Sequence, residues 1–472
     1  MKSDLSRREF MLRTSCAALG AAAVSAGVDR FGLISALAQE AAPSDYRALV
    51  CIFLNGGNDG NNTVVPLDTA GYNLYSAART ASGLAIPQAE LLSITPPSIG
   101  TPFGLHPSLV ELQTLWSQQK LAVVSNVGPL VQPLTRAQYQ AGLGRPYQLF
   151  SHSDQVAQWV TSRADIKVQT GWGGRTADHT VSFNGAATFP LITSVAGATV
   201  FAVGLSTRAL AINPAPTPLN QVLVLNGFNT SAEAVARRNS MDFLRTIDQQ
   251  ASLILAASEV TQQGVDIGLA LDIDPTLTTV FPATTLGNQL KQVAKVIKLN
   301  QTSPALSLNR QIFFCSLGGF DTHQNQIGGQ AGLLTQLSQA MKAFSDATVE
   351  LGVESRVTTF TLSDFGRTLQ PAGSGSAVVG TDHAWGNHQF VMGGAVAGGE
   401  FYGVAGPNGI VYPTLQLSGP NDTDSRGRWI PTAAVEQYAA TLATWFGLAP
   451  ADLATVFPLI GRFTTPNLGF LV

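Results

Sequence analysis

The chain has 472 residues, 27 of them Lys or Arg and 30 Asp or Glu, so charged side chains make up 12% where an ordinary soluble domain carries about 25%. An ordinary hydrophobic share of 45% with a formal charge of only -3 excludes a disordered chain, and a pI near 6.1 gives no electrostatic footprint for a nucleic-acid backbone. Gly (46 residues) and small polar side chains stand in for charge, which makes each carboxylate and each of the six His informative.

The first element in chain order is an address. Residues 6–12 read SRREFML, the apolar CAALGAAAVSAGV runs from Cys16 to Val28, and an Ala-Leu-Ala triplet ends at Ala38. A charged region, an apolar stretch and a small-x-small cleavage site make a signal peptide, and the paired Arg marks the twin-arginine (Tat) type. Residues 1–38 are therefore expected to be a Tat signal peptide. The Tat translocase is then a partner during export, and the destination is the periplasm or the exterior. The apolar run falls short of the ~20 residues of a membrane span and is interrupted by Asp29 and Arg30. No stable membrane anchor is expected after cleavage.

RALVCIFLNGGNDGNNT follows, a continuous apolar run stopping at a Gly/Asn cluster, which predicts a buried parallel strand ending in a loop. Helical spacing from Leu109 to Trp116 precedes a strand from Leu121 to Ser125. RQIFFCSLGGFDTH and SRVTTFTLSDFGRT are two more strands with polar ends, separated by a helical stretch from Leu333 to Leu351. This alternation predicts an α/β fold, a mostly parallel sheet sandwiched between helices, with sites at the carboxyl ends of strands. Residues 170–230 read as short strands and loops. Residues 231–300 read as two helices split by a Pro-containing loop, a helical insertion in a single domain over 39–472. Three Cys are too few for a disulfide framework. Cys51 and Cys315 lie in apolar runs and read as packed free thiols, a disulfide between them being the alternative.

Three strand ends carry Asp in a Gly-rich or turn-like setting: Asp59 in NGGNDGNNT, Asp321 in GGFDTH and Asp364 in LSDFGRT. Parallel strands bring such ends together, so the three carboxylates can converge, although Asp there also caps helices and closes turns. His323 lies two residues after Asp321, and His383 and His388 lie in GTDHAWGNH. Carboxylate and imidazole donors without thiolates suit a divalent ion, zinc foremost. Asp382 is a further ligand or a group that orients His383. Ser151 in LFSHSDQVAQW, with Asp154 three residues on, reads either as a helix N-cap or as a nucleophile at a helix start, where backbone N–H groups favour an anion. His152 beside it is placed to orient substrate, and Thr63 is a second-choice nucleophile. Arg367 and Arg175 are candidates to balance an anionic substrate or to form structural ion pairs. No P-loop, GxGxxG, HExxH or GxSxG occurs.

The Tat signal with FLNGGNDGNNTVVP, LHPSL, SHSDQVAQW, TGWGGR, GGFDTHQNQ, SDFGRT, GTDHAWG and LATWFGLAPADLATVFP resembles the exported DUF1501 family over essentially the whole mature chain. That family is similar to the alkaline phosphatase and sulfatase superfamily. The resemblance implies Asp59 and Asp364 at one metal, Asp321, His323 and His383 at another, and Ser151 between them. Phe365 after Asp364, and the close spacing of Asp321 to His323, depart from the superfamily pattern, so one or two ions are expected. The resulting expectation is an exported metal-dependent hydrolase acting on an anionic phosphate or sulfate ester, a small molecule or a glycan. The alternatives are a non-catalytic binding or assembly protein on the same fold, with a glycan or protein partner, and a phosphotransferase or mutase.

Overall fold

RALVCIFLN forms strand β1 (Arg47–Asn55), and the run lacks polar alternation because both of its faces are covered. Ala48, Val50, Ile52 and Leu54 join one hydrophobic cluster, while Leu49, Cys51 and Phe53 join another. The computed structural model describes residues 46–223, 225, 230–372 and 379–472. The signal peptide expected over residues 1–38 lies outside the described residues.

Short strands over Val64–Pro66, Leu92–Ile94 and Phe103–Leu105 form a small separate sheet, and the strands after them are β2 (Leu121–Gly128), β3 (Ile192–Ser194), β4 (Leu210–Ala211), β5 (Arg310–Gly318) and β6 (Val357–Ser363). After them come β7 (Arg367–Ala372), β8 (Gly380–His383), β9 (Asn387–Met392), β10 (Phe401–Tyr402) and β11 (Ala433–Ala434). The central sheet runs β10-β2-β9-β6-β1-β5-β3-β4, with β11 also on β2. Every pair in it is parallel except those of β9, which runs antiparallel to β2 and β6. This is the mixed, mostly parallel sheet with flanking helices that the alternating pattern predicted. β7 and β8 form a separate antiparallel hairpin beyond the end of β6.

The longer helices are α1 (Thr69–Arg79), α2 (Val110–Ser117), α3 (His152–Thr161), α4 (Trp172–Thr180), α5 (Ala232–Arg245), α6 (Ser252–Ala270), α7 (Thr285–Thr302), α8 (Gln326–Glu350) and α9 (Val435–Phe446). α2, α7 and α8 cover one face of the sheet through Leu115, Val293, Leu337 and Phe344. α3, α4 and α9 cover the other through Trp159, Trp172, Tyr438 and Leu442. Burying such side chains stabilises the fold by roughly 1.5–3 kcal/mol each.

Local chemistry explains three departures from the sequence reading. The first helix of the 231–300 segment is two, because the chain turns over Thr246–Ala251 with Asp248 in the left-handed region at φ 55°. Within 170–230, the TGWGGR segment starts helix α4, whose glycines press against the backbone of residues 200–204. α8 begins seven residues before the predicted Leu333, since Gly328, Gly329 and Gly332 interrupt the apolar periodicity at its start. Cys51 and Cys315 are buried free thiols that belong to opposite faces of the sheet. No helix among the described residues is long and apolar enough to cross a membrane.

Candidate functional site

β5, β1 and β6 are in register at their carboxyl ends, where Leu54 pairs with Leu317 on one side and with Ser363 on the other. The polar segments that leave these strands therefore meet. Their approach is close: a Cβ on Gly56, which sits at φ +114°, would lie 2.4 Å from the backbone nitrogen of Asp321. Only glycine allows both that conformation and that contact.

Four side chains converge above this junction. Asp321 follows β5, His323 comes two residues later, His383 ends β8, and His152 is the first residue of α3. Asp321 Oδ1 lies 3.1 Å from His323 Nε2, 3.5 Å from His152 Nε2 and 3.6 Å from His383 Nε2. The Nε2 atoms of His323 and His383 are 2.9 Å apart. Tetrahedral donors at the 2.0–2.1 Å bond lengths of zinc stand roughly 3.3 Å from one another. His152, Asp321 and His383 form a His/Asp group that could hold a metal ion, and His323 faces the same point.

The other ring nitrogens set how the rings stand. His383 Nδ1 is 2.8 Å from the carbonyl oxygen of Phe150, a group that only accepts, so Nδ1 carries the proton. His152 Nδ1 is 2.8 Å from Asp364 Oδ2, and its Nε2 is buried with no hydrogen-bond partner. His323 Nδ1 faces Asp382 Oδ1 at 3.4 Å, and Asp382 is itself paired with Arg426. His152 and His383 are thus held from behind by hydrogen-bonded oxygens, and all three imidazoles turn Nε2 toward a common point beside a carboxylate. That is the arrangement of metal-binding histidines.

Electrostatics follow this geometry. The hydrogen bond to Asp364 raises the His152 pKa against the opposing effect of burial. Burial lowers that of His383. Burial would raise the Asp321 carboxyl, but the Arg367 hydrogen bond and charge, with the nearby His, hold it below the usual carboxylate range.

The remaining expected site residues lie elsewhere. Asp364 stands behind the centre with both oxygens engaged, Oδ1 by the Gly56 N–H and Oδ2 by His152. Asp59 is fully buried and ion-paired to Arg79 at 2.6 Å, so its charge is already balanced by guanidinium. His388 packs flat on Tyr412 with ring centroids 4.7 Å apart, and its Nδ1 meets Ser125 Oγ at 2.9 Å. Burial pushes its pKa down to about 3, only partly opposed by Asp59, so it is a neutral core histidine. Arg367 is fully buried and directs its donors to Asp321 and to the carbonyls of Gly56, Gly57, Phe320 and Thr381, which leaves it no face toward a substrate. Arg175 is likewise engaged by the carbonyls of Thr161, Thr170 and Val456. Thr63 is buried, with its hydroxyl donated to Asp59 O.

Ser151 precedes α3 but does not cap it. Its Oγ donates to Asp154 Oδ2 at 2.8 Å, and Asp154 is also paired with Lys167. The serine is half-buried and adjacent to His152, with Phe150, the carbonyl partner of His383, on its other side. Sequence reasoning placed His152 beside the nucleophile rather than among the converging donors. It gave no role to Arg79 or Gln326. The amide-rich runs NGGNDGNN and HQNQ were the available signal, because a chain poor in charge must satisfy its buried carboxylates with amides.

Residues 304–411 match a family described as "Protein of unknown function (DUF1501)", so the resemblance seen in the motifs holds over the stretch carrying Asp321, His323, Asp364, His383 and His388. No curated protein matches the sequence. Among solved structures, the chain is similar to the C-terminal periplasmic domain of EcEptC from Escherichia coli in complex with Zn, at 8% identity over 75% of this chain and 74% of that one, TM-score 0.30. It is similar to BT1596, a 2-O GAG sulfatase, at 9% identity over 87% and 74%, TM-score 0.33. A TAB5 alkaline phosphatase mutant with Mg bound in the M3 site gives 9% identity over 79% and 96%, TM-score 0.24.

Proposed function

We propose that the protein is an exported hydrolase of phosphate or sulfate esters that works with one divalent ion, zinc, held by His152, His323, His383 and Asp321. The observation that carries this reading is the convergence of three imidazole Nε2 atoms on Asp321 Oδ1, with His152 and His383 hydrogen-bonded from behind. When bound, the ion supplies Lewis-acid polarisation of the ester oxygen and favours the ionised hydroxyl at neutral pH.

The chain's own residues do the rest. Ser151 Oγ gives up its proton along its hydrogen bond to Asp154 and bonds to phosphorus or sulfur as the bond to the ester oxygen breaks. The alkoxide takes a proton from water and leaves as the alcohol, and water then hydrolyses the ester on Ser151. Asp154 orients the hydroxyl through its 2.8 Å hydrogen bond, with Lys167 holding its carboxylate in place. Asp364 keeps the His152 proton on Nδ1, and the Phe150 carbonyl does the same for His383. The ester class is supported by the resemblance of the motifs carrying Ser151, Asp321, His323, Asp364 and His383 to a family similar to phosphatases and sulfatases, and by a serine at an uncapped helix start.

The test is turnover of a panel of phosphate and sulfate esters by mature, metal-loaded protein, with and without chelator, and with Ser151→Ala. The account expects chelator-sensitive turnover and a fall of at least about a thousandfold in the variant. Turnover that survives Ser151→Ala removes the nucleophile assignment. Loaded protein that turns over no ester, but binds a glycan or an exported partner, replaces the enzyme reading with the non-catalytic one.

A further inference from the structure

Arg79 and Asp59 lie outside the converging donors, yet more hydrogen bonds run from them toward the site than a pair that merely neutralises itself requires. Arg79 grips both oxygens of Asp59, at 2.6 and 3.1 Å, and also bonds Asn62 Oδ1. Its two remaining bonds go to β7: Nε to Leu369 O and Nη2 to Thr368 O, both at 2.9 Å, on the two residues that follow Arg367. Asp59 Oδ2 in turn accepts from Gln326 Nε2, in the first turn of α8 just beyond the Asp321 and His323 loop. Gln326 Oε1 accepts from Thr381 Oγ1 at 2.6 Å, and Thr381 O accepts from Arg367 Nη1 at 2.9 Å. Arg367 Nη2 then donates to Asp321 Oδ1 at 2.6 Å.

Two routes therefore start at Arg79 and end on Arg367. One runs through the backbone of β7 and the other through Asp59, Gln326 and Thr381. Asp59, Arg79, Gln326, Thr381 and Arg367 are all buried, so water cannot replace a lost partner, and the network has one arrangement in which every member is satisfied. Asp321, by contrast, is half exposed, and its side chain would swing freely if Arg367 did not hold it.

We propose that the buried Arg79–Asp59 pair anchors the metal site from below: through Gln326, Thr381 and Arg367 it fixes the Asp321 carboxylate against the three imidazoles. This inference rests on the metal reading of that group. Arg79, Asp59, Gln326 and Thr381 are positioning residues, since none of them faces the point where the donors converge. The sequence signature of a second metal ligand, a strand-end Asp, is thereby used with a guanidinium in place of the ion.

The test is Thr381→Val, which removes the single hydroxyl link and keeps shape. Gln326→Met is the second variant, interrupting the same route one step earlier if the first does not fold. Wild type and variant are titrated with Co(II), reading the visible spectrum and the dissociation constant, with circular dichroism to confirm the fold. Residues standing behind metal ligands change metal affinity by roughly 10–100-fold. The expected result is at least tenfold weaker binding and a shifted spectrum in a folded variant with all four donors intact. An unchanged spectrum and affinity in the folded variants would overturn the anchor while leaving the metal reading in place. A wild type that takes up no Co(II) would overturn the metal reading, and the anchor with it.

Discussion

Asp59 and Asp321 look alike in sequence, each a strand-end carboxylate in a Gly-rich turn, and the fold treats them in opposite ways. Asp59 is fully buried against Arg79, with Gln326 donating to the same carboxylate. Asp321 is half exposed and surrounded by the Nε2 atoms of three imidazoles, with Arg367 on the same oxygen. The difference is what else surrounds the carboxylate. Both have a guanidinium at 2.6 Å, Arg79 from α1 on Asp59 and Arg367 on Asp321, but only Asp321 keeps an exposed side with three imidazoles around it. An enclosed carboxylate with a guanidinium is a structural element; one that also opens onto three imidazoles has the donor set of a metal site.

The largest test of this contrast is Arg79→Met against Asp321→Asn. Removing one partner of a buried ion pair leaves the other uncompensated and costs about 3–5 kcal/mol. Denaturant unfolding should show a loss of that size in Arg79→Met. Asp321→Asn keeps an oxygen for the Arg367 hydrogen bond but takes the charge from that buried guanidinium, so it should cost less than Arg79→Met, about 1–3 kcal/mol, while losing metal affinity. Equal stability losses in the two variants would erase the distinction.

Glu436 is a third fate for a carboxylate in the same protein. It is fully buried, both of its oxygens lack partners, and desolvation pushes its pKa up to about 8, with Asp165 adding to the rise and Arg163 and Arg175 opposing it. The folded chain therefore holds a proton that the unfolded chain releases near the ordinary carboxylate value of 4.5. Stability from this group is fully present below that value, declines by up to about 1.4 kcal/mol per pH unit as pH rises toward 8, and levels off above it. Thermal melts of Glu436→Gln should match wild type near pH 5 and exceed it at pH 9. A variant less stable than wild type at pH 9 would mean that the carboxylate has a cation after all.

Gly56→Ala should act where the two regions touch, since the new Cβ meets the Asp321 backbone at 2.4 Å from a left-handed conformation. The expected cost is about 1–3 kcal/mol, read by chemical denaturation, together with weaker metal binding. The smallest effect belongs to His388→Phe. It should leave metal stoichiometry unchanged and cost the Ser125 and Asn126 hydrogen bonds, about 1–2 kcal/mol, because this histidine is a neutral neighbour of Tyr412.

Much of this was legible in the chain. The apolar runs ending in polar turns located β1, β5 and β6 and the edge where their carboxyl ends meet. The GGFDTH and GTDHAWG segments carried three of the four converging donors. The fourth, His152, was visible only as a neighbour of Ser151, because nothing local shows that a helix start far from the strands will swing its imidazole onto Asp364. Asp59 and His388 misled for the opposite reason. Their motifs match ligands, but their partners, Arg79 in α1 and Ser125 in β2, are distant in sequence and belong to no motif. Charge pairing across a sheet edge is a tertiary fact, so a strand-end Asp cannot declare from its own segment whether a guanidinium waits for it.

The central claim is one ion at His152, His323, His383 and Asp321, and none at Asp59. The most direct measurement is the metal stoichiometry of the mature protein, determined by elemental analysis and Co(II) titration on wild type, Asp321→Asn and Asp59→Asn. The account predicts one equivalent in the wild type, a site weakened at least tenfold in Asp321→Asn, and one equivalent retained in folded Asp59→Asn. Two equivalents in the wild type, with one lost in Asp59→Asn, would contradict it, as would no metal at all.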